Sequence, residues 1–347
     1  MGKRLAVILV FALALASCTM NTRYSMPGDR MVFTAVASHS RCIIGTTYYP
    51  TNIPFVVEAV HYPNGIDNDW ENVYFAETTV EYDKENAWWQ SEDEFYWPQE
   101  GAVVFYAASP AVPQISISPD KGLETDWSIR SYDETQTDLC YAKTVEQCNR
   151  HSALIPIVFS HALTQVCVKV RPLKQYSKML ISDNLLQTDE ITVVLDSLKI
   201  NGVLCEGRFT QESAEWTTRP GIKSDYTVFN EPAGLALECD YQNSPVLTPL
   251  KPLLLIPQLL PADSSIEEWH HIVVHSYLKD ITTGKILSDL SYSLPVTSSF
   301  LIWSCCQKWL PNYKYTFRLT LGMEAEDSAL SLAVTDWVEN SEIILDE

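Results

Sequence analysis

The segment NYKYTFRLTLG (312–322) alternates with a strict period of two. Tyr313, Tyr315, Phe317, Leu319 and Leu321 fall on one side, and Lys314, Thr316, Arg318 and Thr320 on the other. Only an extended strand sends successive side chains to opposite faces, so this run predicts a half-buried antiparallel strand. Similar signals recur along most of the 347 residues. LKINGVLCEGRF (198–209) carries Asn201-Gly202 between apolar runs, which predicts a hairpin through a tight turn with positive φ at both central positions. HHIVVHSYLKDITTGKILSDLSYSL (270–294) predicts a second hairpin turning near Thr283-Gly284. Helical periodicity is weak, with YSKMLISDNLL (176–186) the one candidate. Many short strands with turns about every ten residues argue for an all-β chain built as two β-sandwiches.

The boundary between the halves is placed in the polar stretch TVEQCNRHSA (144–153). Immediately after it, Ile155, Ile157 and Phe159 share one parity, whereas Val166, Val168 and Val170 share the other. A strand cannot change parity without a bulge or break, which is predicted near Ser160-His161. At the N-terminus, Lys3 and Arg4 precede the apolar run LAVILVFALALA and then Ser17-Cys18. About a dozen apolar residues are too few for a permanent membrane span, so the run predicts a cleaved export signal. Further on, in MVFTAVASHSR (31–41), Met31, Phe33 and Ala35 alternate with Val32, Thr34 and Val36 before small polar residues lead to Arg41. This is a strand with an exit of the kind proteases favour.

The formal charge is −20, from 44 acidic against 24 basic residues. That balance repels phosphate backbones and argues against a nucleic-acid partner. Acidity is densest between Asp67 and Glu100, where eleven carboxylates face the single lysine Lys84, a pattern typical of a solvated face. Nine cysteines in an exported chain leave two states open, free buried thiols or one or two bridges, and none of the pairs has the CxxC spacing of a zinc site. His271 and His275 share a strand parity with His270 adjacent, but four residues of strand separate side chains by about 13 Å. Glu92, Asp93 and Glu94 are not set apart from the other carboxylates as a glycosidase pair would be. No catalytic, cofactor-binding or metal-binding residue is therefore assigned, and the chain is not read as an enzyme. Trp88, Trp89 and Trp97 could stack on sugar rings, which makes a surface glycan-binding lipoprotein the alternative function; core or turn anchoring is the commoner use of such residues.

Five segments in order give the chain a family resemblance. FYWPQEGAVVFYAASP (95–110), IPIVFSHALTQVCVKVR (155–171), LLLIPQLLP (253–261), WLPNYKYTFRLTLG (309–322) and VTDW (334–337) are similar to segments of the fimbrillin-like proteins of Bacteroidales, the subunits of type V pili. LASC, ending at Cys18, resembles a bacterial lipobox. The resemblance implies two transthyretin-like Greek-key β-sandwich domains. It implies a signal peptide over 1–18 with Cys18 lipidated, a pro-segment over 19–41, and domains over 42–152 and 153–347. It also implies a fimbrial subunit at the outer membrane or cell surface whose partners are other pilin subunits, the membrane through a lipid anchor, and surface ligands, with no cofactor. In that family an arginine-directed protease removes a strand near the N-terminus, and a strand of another subunit fills the groove. By position, Arg41 would be the cleaved residue, with Arg30 and Arg23 as earlier alternatives, and Met31, Phe33 and Ala35 would mark the placeholder strand. The chain departs from the family in its many cysteines, in Asn312-Tyr313 where Gly-Lys is common, and in ending soon after Trp337.

Overall fold

The fold is given by a computed structural model, which describes residues 29–37, 47–66, 72–111, 115–118, 120–129, 136–174, 191–240, 244–260, 270–297, 307–322 and 328–337. Among these residues the only regular elements are strands. The first ten are β1 (Phe33–Ala37), β2 (Thr47–Tyr48), β3 (Phe55–Tyr62), β4 (Asn72–Asp83), β5 (Trp88–Ser91), β6 (Ala102–Ser109), β7 (Ser116–Ser118), β8 (Gly122–Ser128), β9 (Cys140–Gln147) and β10 (Ile155–His161). There follow β11 (Thr164–Pro172), β12 (Ile191–Leu204), β13 (Glu206–Thr210), β14 (Glu215–Thr218), β15 (Lys223–Ala236) and β16 (Thr248–Pro249). The last five are β17 (Leu253–Leu255), β18 (His271–Asp280), β19 (Ile286–Pro295), β20 (Tyr313–Leu321) and β21 (Ala329–Asp336). The helical candidate at 176–186 lies outside the described residues.

An eight-stranded sheet runs β10-β9-β6-β3-β4-β5-β1-β2, and β1 also pairs with β10, so the sheet closes on itself. A second sheet orders β16-β11-β20-β21 with β17 beside β11, and a third orders β15-β12-β18-β19. The fourth, β14-β13-β8-β7, joins strands from both sides of residue 152. Strand β10, at which the sequence opened the second half, belongs to the first sheet, and the chain passes to the second sheet through Ala162-Leu163. The parity break falls there, because Ile157 and Phe159 face one core while Val166 and Val168 face another.

Two cores result. Every residue of β6 is buried, since one face of the strand, with Val103, Phe105 and Ala107, fills the interior of the closed sheet. Its other face, with Val104, Tyr106 and Ala108, packs into a larger core shared with Leu195, Phe209 and Phe317. A strand buried on both sides must be apolar throughout, as AVVFYAAS nearly is.

Two local expectations need correction. Asn201-Gly202 does not turn a hairpin; β12 runs through it, with a register shift between Ile200↔Tyr226 and Val203↔Ser224. Gly202 takes φ 75°, and its N–H donates to Asp225 Oδ1 at 3.0 Å. The positive φ that suits a tight turn equally suits a bulge, which is the use made of it here. Strand β20 is half-buried as its alternation predicts, with Tyr315, Phe317, Leu319 and Leu321 all buried. It is antiparallel only to β21, however, and lies parallel to β11 over Gln165↔Lys314 to Pro172↔Leu321. The hairpin near Thr283-Gly284 is present as β18 and β19, with Gly284 at φ 71°.

Candidate functional site: the groove held by the N-terminal strand

Strand β1 fills the gap that would otherwise leave the first sheet open. Along one edge it pairs in parallel with β10, from Phe33↔Ile155 to Ala37↔Phe159. Along the other it meets β5 at Phe33↔Trp89 and β2 at Val36↔Tyr48 and Ala37↔Thr47. The residues before β1 add further backbone contacts, antiparallel at Arg30↔Tyr96. The Met31 N–H donates to Phe95 O at 2.7 Å, the Trp97 N–H to Asp29 O at 3.0 Å, and the Ile155 N–H to Val32 O at 2.8 Å. Arg30 Nη1 lies 3.1 Å from Glu94 Oε1, an exposed pair that adds little.

Alternation decides what enters the groove. Met31, Phe33 and Ala35 point inward and are 2%, 1% and 5% exposed, in line with Ile155, Ile157 and Phe159 of β10. Val32 is buried as well, whereas Thr34, Val36 and Ala37 are half-buried. The Phe33 ring meets Phe105 edge to face at 5.8 Å between centroids. Burial of the Phe33 and Met31 side chains contributes about 1.5–3 kcal/mol each, and their loss would put the inner faces of β5, β6 and β10 in water.

Residues 38–46 connect β1 to β2, and the pair Ala37↔Thr47 sets the two ends of that segment beside each other. Arg41 falls within it, and Arg41 and Cys18 both lie outside the described residues. A cut after Arg41 would leave β1 attached by its ladder and side chains alone, while β2 stayed with the body of the protein.

The remaining candidates are dispersed. Trp89 and Trp97 are buried in the first core, Trp97 stacked on His151 at 4.0 Å, so neither presents a face to a sugar; Trp88 is half-buried. Glu94 is engaged with Arg30 and with the Tyr96 hydroxyl, which donates to it at 2.6 Å. His270 is buried, and its Nε2 lies 2.7 Å from Gln258 Oε1. His275 contacts Asp196 at 2.7 Å and Asp289 at 3.0 Å. Cys140, Cys148, Cys167, Cys205 and Cys239 are not joined in disulfides; Cys42, Cys305 and Cys306 lie outside the described residues.

One cluster escaped the sequence reading. Asp138, Cys140 and His161 bring a carboxylate, a thiol and an imidazole within 4.8 Å of one another. The signal was an Asp-x-Cys at the start of β9, but the histidine is supplied only by the pairing Cys140↔His161 between β9 and β10.

A family model described as fimbrillin-like matches residues 57–337. No curated protein matches the chain in sequence. Among solved structures, a fimbrial protein from Bacteroides vulgatus is similar with TM-score 0.60 and 13% identity, covering 89% of this chain and 100% of that one. A candidate cell adhesion protein from Bacteroides ovatus gives TM-score 0.51 at 12% identity, covering 91% and 100%. Another from Bacteroides uniformis gives 0.50 at 10%, covering 89% and 98%. At these identities the structural likeness speaks to the fold.

Proposed function

The chain belongs to the fimbrillin-like family, and on that premise we propose that it is a structural or adhesive subunit of a cell-surface fimbria, assembled by protease-triggered strand exchange. The observation that carries the reading is β1 itself, a strand that closes a sheet and buries its inward residues, yet is joined to the rest through a segment containing Arg41. While β1 is in place the sheet has no open edge at that point. Once it is removed, β10 and β5 present unpaired backbone above an apolar trough, the state most prone to accept a strand from elsewhere. Strand addition then draws affinity from the main-chain ladder and register from alternate side chains.

In the same reading, residues 1–18 are an export signal whose Cys18 is acylated at the outer membrane, and 19–41 are the removable pro-segment. The two halves are transthyretin-like sandwiches, with β10 assigned to the first and the handover at Ala162-Leu163. The burial of Trp89 and Trp97 favours this over a glycan-binding surface.

Arg41→Ala tests the proposal. The variant should fold and stay monomeric, with β1 retained by N-terminal sequencing, while trypsin-like treatment of the wild type should release detergent-resistant oligomers. Polymers formed by Arg41→Ala with residues 31–37 still attached would overturn the placeholder role.

A further inference from the structure

We propose that Asp138, Cys140 and His161 form a binding site for a single zinc ion, independent of the strand groove. The three groups reach one point from three positions that the β9 and β10 backbone fixes. Cys140 opens β9, Asp138 lies two residues before it, and His161 ends β10 directly across the ladder from Cys140. Cys140 Sγ is 3.2 Å from Asp138 Oδ2 and 3.7 Å from His161 Nδ1, and that same nitrogen is hydrogen-bonded to Asp138 Oδ2.

Zinc bonds of about 2.3 Å to sulfur and about 2.0–2.1 Å to nitrogen or oxygen, at tetrahedral angles, set the ligand atoms roughly 3.3–3.6 Å apart. The two contacts of the sulfur bracket that span. The close approach of imidazole and carboxylate is a proton-bridged contact that the ion would open as it entered between them.

Three observations favour an ion over a purely hydrogen-bonded trio. Asp138 Oδ1 is buried and has no hydrogen-bond partner, which is costly for a carboxylate oxygen. Once the Cys140 proton has left on binding, the carboxylate and the thiolate together balance the charge of a divalent cation. The Trp337 indole stacks on the His161 ring, 3.8 Å between centroids and 11° between planes, so the imidazole is already held in one orientation. The donor set selects the metal, because a sulfur and an imidazole suit a borderline-soft cation and disfavour magnesium or calcium. Asp138 and His161 are partly exposed, 25% and 19% at the side chain, which leaves a fourth position for water and a route of entry.

The same trio does not suit a nucleophilic cysteine. His161 Nδ1, the group that could activate the thiol, is hydrogen-bonded to Asp138 Oδ2 instead, and burial with the Asp138 carboxylate beside it holds the Cys140 thiol well above its usual range. On binding, the thiol releases its proton to solvent as the sulfur bonds to zinc, and His161 coordinates through Nδ1 as the neutral ring protonated at Nε2.

The test uses the full exported chain, stripped with a chelator and titrated with Co²⁺ and then Zn²⁺. The expected result is one equivalent of Co²⁺ with a thiolate-to-cobalt charge-transfer band in the near ultraviolet, displaced by one equivalent of Zn²⁺. Cys140→Ser should abolish the band, and His161→Gln should weaken Zn²⁺ binding at least tenfold, with circular dichroism checking that each variant folds. Should Cys140→Ser fail to fold, loss of the band in Asp138→Asn or His161→Gln decides in its place. Absence of stoichiometric Co²⁺, or Co²⁺ bound without a thiolate band, as it would be at His275 with Asp196 and Asp289, would overturn the site.

Discussion

Strands β1 and β20 invite comparison because each lies parallel to one arm of the same segment, β10 for the first and β11 for the second. Each also buries a phenylalanine almost completely, Phe33 at 1% exposure and Phe317 at 0%. They differ along their other edges. Strand β20 is paired with β21 without a break from Tyr313↔Asp336 to Thr320↔Ala329. Strand β1 meets β5 only at Phe33 and β2 only at Val36 and Ala37, and residues 38–46 carry the chain on to β2. Equal burial therefore does not mean equal permanence. A strand laddered without a break along its second edge is held more firmly than one whose second edge is divided between two short partners.

The largest effect should come from truncating the two aromatics. In the uncut chain Phe33→Ala and Phe317→Ala should each lower unfolding free energy by about 3–5 kcal/mol in urea titrations. After cleavage and loss of residues 29–37, the Phe33 substitution should have no effect at all and the Phe317 substitution its full effect. A Phe33→Ala cost well below 1 kcal/mol in the uncut chain would break the comparison, since β1 would then not be part of the core.

A smaller effect separates the halves by acidity. His270, on the β18 side, has its pKa lowered to about 4, chiefly by burial, with Lys223 and His271 adding to it. The unfolded chain, with this group near 6.5, binds the proton that the folded chain refuses, so stability falls as pH drops from about 6.5 towards 4. The loss should approach about 3 kcal/mol at the lower limit. His270→Gln should flatten that part of the profile, and an unchanged slope between pH 6.5 and 4 would remove His270 as its source. Smallest of all should be Glu94→Gln, which deletes the exposed partner of Arg30. It should cost no more than about 1 kcal/mol and less in high salt. A larger, salt-insensitive loss would mean that β1 is anchored by charge rather than by its apolar face.

What the sequence disclosed was faces, and what it withheld was edges. The alternation in 31–37 and 313–321 marked the inward side chains because a period of two records which side is dry. It holds no record of which strand lies alongside or in which direction, so the parallel pairing of β20 with β11 could not be read from NYKYTFRLTLG. Asn201-Gly202 was legible as a site of positive φ and illegible as a bulge, because the two share that requirement and are told apart only by the partner strand β15. The parity change was legible near Ser160-His161, and it, rather than the earlier polar stretch, marks the passage from sheet to sheet at Ala162-Leu163. The Asp138, Cys140 and His161 trio stayed hidden for the same reason, being assembled by strand pairing across 23 residues of chain.

The parallel course of β1 along β10 has a further consequence. A groove whose ladder is set for one chain direction is a vector. A substitute strand in the same register would have to enter with its own N- and C-termini ordered as those of β1 are. Giver and receiver would then be different surfaces of the molecule, and any union other than a reciprocal swap of the two strands joins copies head to tail. Each head-to-tail union would leave one groove unfilled at one end and one unused strand at the other, and growth would be open-ended, with a leading and a trailing tip.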